Sequence, residues 1–225
     1  MNTKFLSLLA LALIFNTSCK EDDPVVTPPV ENKNVQVNLN YDFNFGNQDF
    51  ALNTEYTLDN GYKVRYSLAT FYLSKPVIMD DAGGMTALSP EYLIVRPDVT
   101  MSDLGFIQEG HAHMFNFSIG VDSASNTENG STGVQPTDFS DPNHPLGTNE
   151  FRKDRSTMVH SDVLGGETIN MLLAIDYKAF FNGVDLTTEI LSMSMGEGRA
   201  LGIKMMDQFD QAMTISKMEN GNKNN

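Results

Sequence analysis

Histidine is the residue type in this chain whose placement best indicates chemistry. The sequence of 225 residues has four histidines, and all of them lie between residues 111 and 160. Imidazole is the commonest side-chain ligand for metal ions in proteins. The chemistry of this chain is therefore expected within that window.

His111 and His113 are separated by a single residue. On a β-strand two such residues share a face and lie roughly 6.5 to 7 Å apart along the strand. Two imidazoles at this spacing can bind one metal ion. Phe115, Phe117 and Ile119 continue the same alternation, so the pair is equally compatible with the exposed end of a core-facing strand.

His144 and His160 lie further along the chain. His144 stands in the segment 140–147 (SDPNHPLG), where prolines restrict the backbone and present the imidazole in a defined direction. His160 follows Met158 by two residues, which on a strand places a thioether and an imidazole on one face, as in many copper sites. Methionine also fills gaps in protein cores, so Met158 alone does not indicate a ligand.

Motifs of the common enzyme classes are absent from the sequence. It contains no Gly-x-Ser-x-Gly nucleophile elbow, no Walker phosphate loop and no His-Glu-x-x-His zinc motif. The many acidic residues show no spacing that singles out an acid–base pair. We therefore do not expect an enzyme.

The first nineteen residues have the organisation of a bacterial lipoprotein signal. Lys4 is followed by an apolar stretch over residues 5–15 and then by Cys19, the only cysteine in the chain. The apolar stretch is too short for a membrane span, which needs about 20 residues. We expect a signal peptide over residues 1–18 and an acyl anchor on Cys19. The charged segment 20–23 (KEDD) resembles a signal for the outer face of the outer membrane, or is an ordinary acidic linker.

The charge of the remaining chain restricts its partners. Without residues 1–18 there are 14 basic and 29 acidic residues, a formal charge of −15. This charge repels the phosphates of nucleic acids, so no nucleic-acid partner is expected. Carboxylates attract cations, but an acidic surface also serves solubility.

Short β-strands are predicted through most of the chain. Residues 35–45 alternate apolar and polar side chains without a break, the pattern of a strand with one buried face. Further strands are predicted at 63–66, 70–79, 92–96, 112–121 and 170–175, and short helical turns at 176–182 and 202–209. This pattern predicts an all-β fold, an antiparallel β-sandwich with long loops over residues 35–215. Residues 19–34 are expected to form an extended linker and residues 216–225 a disordered polar tail.

Four segments, in their order, resemble the MbnP-like copper-binding protein family of exported bacterial β-sandwich proteins. They are residues 72–77 (YLSKPV), 117–126 (FSIGVDSASN), 141–146 (DPNHPL) and 175–186 (IDYKAFFNGVDL). The match runs over most of residues 35–215. It implies the sandwich fold and a copper site.

The resemblance also implies which residues bind copper. In the family an oxidised tryptophan and histidines are associated with copper, but this chain has no tryptophan, and Asp42 and Asn44 occupy the stretch of the family's early-strand histidine. Only His144 and, more loosely, His160 match by position. These two are implied as core ligands. The supplementary candidates are His111, His113, Met158 and Asp122.

Two functions from different classes follow. The first is a cell-envelope lipoprotein that captures or transfers copper. Its acyl anchor holds it at the outer membrane, on the periplasmic side or at the cell surface. The second is a surface-exposed structural or binding module that keeps the fold, has lost the metal and engages an envelope protein through loops such as residues 123–139. The grouping of the histidines favours the first function, and the missing tryptophan segment favours the second.

Overall fold

The computed structural model describes residues 34–121, 152–189 and 198–218. Within these ranges the chain forms twelve β-strands, one α-helix and a short 3-10 turn, Ala179–Phe181. The strands and the helix, in chain order, are β1 (Asn34–Phe45), β2 (Gln48–Asp49), β3 (Glu55–Thr57), β4 (Lys63–Arg65), β5 (Phe71–Asp80), β6 (Met85–Ala87), β7 (Tyr92–Val95), β8 (Met101–Gln108), β9 (Gly110–Ile119), β10 (Lys153–Val163), β11 (Thr168–Asp176), α1 (Arg199–Ala212) and β12 (Met213–Lys217).

The first sheet is built around β1. Its order is β12-β11-β1-β2, and β8 also pairs with β1. The prediction of a purely antiparallel sandwich needs one correction, because β1 and β11 run parallel, with Val37 opposite Ile169 and Leu39 opposite Met171. A parallel pair requires a long crossover connection, and here the second sheet lies within that connection.

The second sheet carries the segments that contain the histidines. Its order is β10-β9-β5-β6, and β7 also pairs with β5. All pairings in this sheet are antiparallel. Strands β3 and β4 form a separate hairpin.

One hydrophobic core joins the two sheets. From β1 it takes Val35, Val37 and Leu39, which have no exposed surface, and from the second sheet it takes Leu73 and Phe115. Full burial of such a side chain contributes about 1.5 to 3 kcal/mol. The second sheet therefore has one face packed against the core and its other face directed away from it.

The sequence predictions agree with most of this fold. The all-β class and the strand over residues 35–45 are confirmed, although Phe43, which that pattern places in the core, is only partly buried. The predicted helical turn at 202–209 is part of the longer helix α1. The predicted tail begins too early, because Ser216 and Lys217 pair with β11. Among the described residues, no helix is long and apolar enough to cross a membrane.

Candidate metal centre

Three histidines meet on the outer face of the second sheet. His111 and His113 belong to β9, and His160 belongs to the neighbouring strand β10. One ligand nitrogen from each ring can be chosen so that all three lie within 4.8 Å of one another. The ring centroids of His113 and His160 are 4.5 Å apart, and those of His111 and His160 are 5.8 Å apart.

Irregular pairing between the strands brings these rings together. Met158 pairs with Met114 and Ser161 pairs with Ala112, so two residues of β10 stand opposite one residue of β9. One of the two is His160, whose φ is +42°, in the left-handed region that non-glycine residues rarely adopt. Bulges re-aim side chains and are frequent at functional sites. Backbone strain at His160 is a further feature of such sites.

A second irregularity turns His113 outward. Met79 and Asp80 of β5 pair with Met114 and Ala112, so His113 is an extra residue between consecutive pairs. The extra residue shifts the alternation, and both Ala112 and Phe115 are buried although they are three residues apart. The prediction that Phe115 shares a face with His111 and His113 is therefore wrong.

Asp162 holds the ring of His111. The two residues are directly opposite each other across β9 and β10, and the Nδ1 atom of His111 lies 2.6 Å from the Oδ1 atom of Asp162. Because an ionised carboxylate only accepts hydrogen bonds, Nδ1 is the donor and the Nε2 lone pair is free. The hydrogen bond to Asp162 is the main cause that raises the pKa of His111; partial desolvation opposes it, and the charge of Asp81 adds to it.

Asp81 lies against both histidines of β9. Its Oδ1 atom is 2.8 Å from the Nδ1 atom of His113, and its Oδ2 atom is 3.7 Å from the Nε2 atom of His111. The orientation at His113 does not make a hydrogen bond, so this buried nitrogen has no hydrogen-bond partner among the described residues. Asp81 therefore places a negative charge against both rings.

The turn after β5 explains the position of Asp81. The amide of Gly84 donates to the Oδ1 atom of Asp80 at 2.8 Å, and the amide of Asp80 donates to the carbonyl of Gly84 at 2.9 Å. A Cβ atom on Gly84 would lie 2.5 Å from the Oδ2 atom of Asp80, so a larger residue there would displace the carboxylate that accepts from the Gly84 amide. The sequence predicts the turn at residues 80–84, but it does not indicate that the turn faces His111 and His113.

The predicted site residues divide into two groups. His111, His113 and His160 come together, and Met158 lies exposed on the same face, opposite Met114. His144, Asp122 and Cys19 lie outside the described residues. Sequence reasoning missed Asp81 and Asp162 because no spacing distinguishes them from the other acidic residues. The pairing of Asp162 with His111 would have been visible only with the strand register in hand.

The donor set fits a transition metal. Three imidazoles suit zinc, copper, nickel or iron. Carboxylates behind such ligands commonly orient them and raise their basicity, as Asp162 does here. The geometry supports a site for one ion.

Comparisons with known proteins give the following matches. A sequence model of the MbnP family matches residues 34–146, half of the chain. This stretch contains His111, His113 and His144 and ends before His160. No curated protein matches the chain. The solved structure of MbnP from Methylosinus trichosporium is similar, with 12% identity, a TM-score of 0.31 and coverage of 40% of each chain.

Proposed function

Because this chain belongs to the MbnP family, as its four resembling segments predict, we propose that it is a cell-envelope protein that binds one copper ion for capture or transfer. The ligands in this proposal are His111, His113 and His160. The observation that carries it is the approach of their ligand nitrogens to within 4.8 Å of one another.

Two features of the histidine group support a metal rather than a chance cluster. The Nδ1 atom of His113 is buried, makes no hydrogen bond in the described part of the chain and lies 2.8 Å from the Oδ1 atom of Asp81, so a carboxylate lies behind this ring as one does behind His111. The ring of His111 is fixed through Nδ1 by Asp162, which leaves Nε2 for a ligand bond. A bound cation would take one nitrogen from each of the three rings and lie close to the charge of Asp81.

Copper is the metal that family membership and affinity both favour. Imidazole sites bind divalent ions in an order that peaks at Cu(II). In capture or transfer the ion is the cargo, and it would be held by the three imidazoles. The protein supplies the three imidazoles and the carboxylates of Asp81 and Asp162.

The ligand set differs from the one that the family resemblance implies. The resemblance gives His144 and His160 as core ligands, whereas the described residues join His160 to His111 and His113. His144 and Asp122 remain predicted as additional ligands. In this proposal the acylated Cys19 holds the site at the outer membrane.

Titration calorimetry with Cu(II) on the full-length chain in detergent tests the proposal. We expect one tight site in the wild type and its loss in the variant His111→Ala, His113→Ala, His160→Ala. The control is His144→Ala, which removes the one histidine outside this group. It should lower Cu(II) affinity only if His144 supplies a further ligand. Equal copper uptake by the wild type and the triple variant would contradict the proposal, and no specific uptake by either protein would favour the surface-module function.

A further inference from the structure

Four methionines form one row across the second sheet. Met158 of β10 pairs with Met114 of β9, Met114 pairs with Met79 of β5, and Met79 pairs with Met85 of β6. We propose that this methionine row (Met79, Met85, Met114 and Met158) is a thioether site for a soft monovalent cation such as Cu(I), separate from the imidazole site. The proposal goes beyond the proposed function and does not depend on it.

The row lies on the outer face of the sheet. In the adjacent row, Ile78 is directly opposite Phe115, and both are buried, so the neighbouring positions in each strand point away from the core. Met85 is 72% exposed and Met158 is 53% exposed, and the two central methionines are half-buried. All four thioethers are therefore on the side that a cation can reach.

The spacing allows the sulfur atoms to converge. Side chains directly opposite each other in antiparallel strands have Cβ atoms about 4.5 to 5.5 Å apart. Methionine has three rotatable side-chain bonds, so neighbouring thioethers can turn toward one ion. The hydroxyl oxygen of Ser156, an exposed residue of β10, lies 2.7 Å from the Sδ atom of Met114, which places that sulfur on the open face.

The residue type itself requires an explanation. Outward positions of strands favour β-branched or aromatic residues, and a flexible thioether gains little there from burial. The sequence contains 13 methionines, and four of them occupy matching positions on four neighbouring strands. Thioether sulfur is a soft ligand that selects Cu(I), whereas imidazole also serves divalent ions.

The methionine row adjoins the histidines. Met114 follows His113 directly, and Met158 precedes His160 by two residues, at the last regular pair before the bulge. One face of the sheet thus offers soft thioethers and harder imidazoles side by side. The two sites differ in their response to pH, since a thioether does not titrate and an imidazole does.

The probe for the methionine row is Ag(I), a soft monovalent cation that keeps its oxidation state during the titration. The test uses the full-length chain in detergent with ¹³C-methyl-labelled methionine, at pH 5, where free imidazole is protonated. We expect saturable Ag(I) binding that shifts the assigned methyl signals of Met79, Met114 and Met158. The variant Met79→Leu, Met85→Leu, Met114→Leu, Met158→Leu keeps side-chain volume and should lose this binding.

Two matched variants separate the possible results. Met101→Leu removes an exposed methionine of β8, which pairs with β1 in the first sheet, and should leave Ag(I) binding unchanged. The triple alanine variant of His111, His113 and His160 should also keep it, even if that variant loses Cu(II). The proposal is overturned if the wild type does not bind Ag(I) saturably at pH 5, or if the fourfold leucine variant binds it as the wild type does.

Discussion

His111 and Asp162 are directly opposite each other on β9 and β10, and a hydrogen bond of 2.6 Å joins the Nδ1 atom of one to the Oδ1 atom of the other. This contact fixes the orientation of the imidazole, whose Nε2 atom lies 3.7 Å from the Oδ2 atom of Asp81. Asp162 is therefore a positioning residue for the candidate metal centre.

Replacing Asp162 tests this role. We expect Asp162→Asn to weaken Cu(II) binding about 10- to 100-fold, the usual effect of losing a carboxylate behind a metal-binding histidine. Calorimetric titration measures the change. Asp98→Asn removes the same charge at an exposed ion pair with Arg96 and should leave affinity unchanged. If both variants behave alike, Asp162 acts only through net charge.

The expected pH dependence of the proposed copper binding follows from His111. Its pKa is raised, mainly by the hydrogen bond to Asp162, and a metal binds only the neutral ring. Cu(II) affinity should therefore begin to fall at a pH above the ordinary histidine value of about 6.5. In the metal-free protein, fold stability changes with pH in the opposite direction to Cu(II) affinity. The contact stabilises the fold fully below that value and ceases to do so as pH rises through the raised pKa.

An NMR titration of the His111 ring protons checks both statements. The midpoint in the metal-free protein should lie above that of free histidine, and Asp162→Asn should lower it. A midpoint that does not move in the variant would show that Asp162 does not stabilise the charged ring.

Tyr66, which is partly buried, and Tyr177, which is buried, provide a matched pair for stability. The hydroxyl of Tyr66 donates to the carbonyl of Tyr177 at 2.9 Å, whereas the hydroxyl oxygen of Tyr177 is buried without a hydrogen-bond partner among the described residues. Tyr66→Phe should lower the free energy of unfolding by about 0.5 to 1.5 kcal/mol. Tyr177→Phe should be neutral or stabilising, since it removes an unpaired buried oxygen. Urea unfolding measures both changes, and an equal loss in the two variants would contradict the assignment.

The membrane anchor predicted at Cys19 is tested by fractionation. Cys19→Ala should release the protein from membranes, because acyl chains supply the apolar surface that the acidic linker lacks. The control is Ser18→Ala, which keeps the cysteine and should leave the protein with the membrane pellet. Retention of the Cys19→Ala variant after a salt wash would show that another segment holds the protein there.

Some strands were predictable from local pattern and others were not. Strand β1 alternates without interruption and is correctly predicted from residues 35–45. Strand β8 was missed because Gly105, with a φ of +83°, interrupts its alternation, so that the buried Leu104 and Ile107 are three residues apart. Strand β11 was predicted at residues 170–175, but its parallel pairing with β1 was not, since the alternation of a strand reveals its buried face and not its neighbour.

The candidate site was also predictable only as far as local spacing reveals it. The spacing of His111 and His113 indicates a shared face, which the structure confirms. The addition of His160 depends on the pairing of β9 with β10 and on a left-handed backbone at a non-glycine residue. Both are tertiary features, and neither leaves a signal in the local sequence.

The parallel pairing of β1 with β11 has a consequence for the order of folding. Asn38 and Asn170, which face each other in this pair, are 132 residues apart in the chain. Contacts of such sequence separation are slow to form because loop closure costs entropy before any contact stabilises the fold. The first strand of the domain must therefore wait for one of its last. A chain emerging from the ribosome cannot complete this sheet early, which suits the export that its first nineteen residues predict.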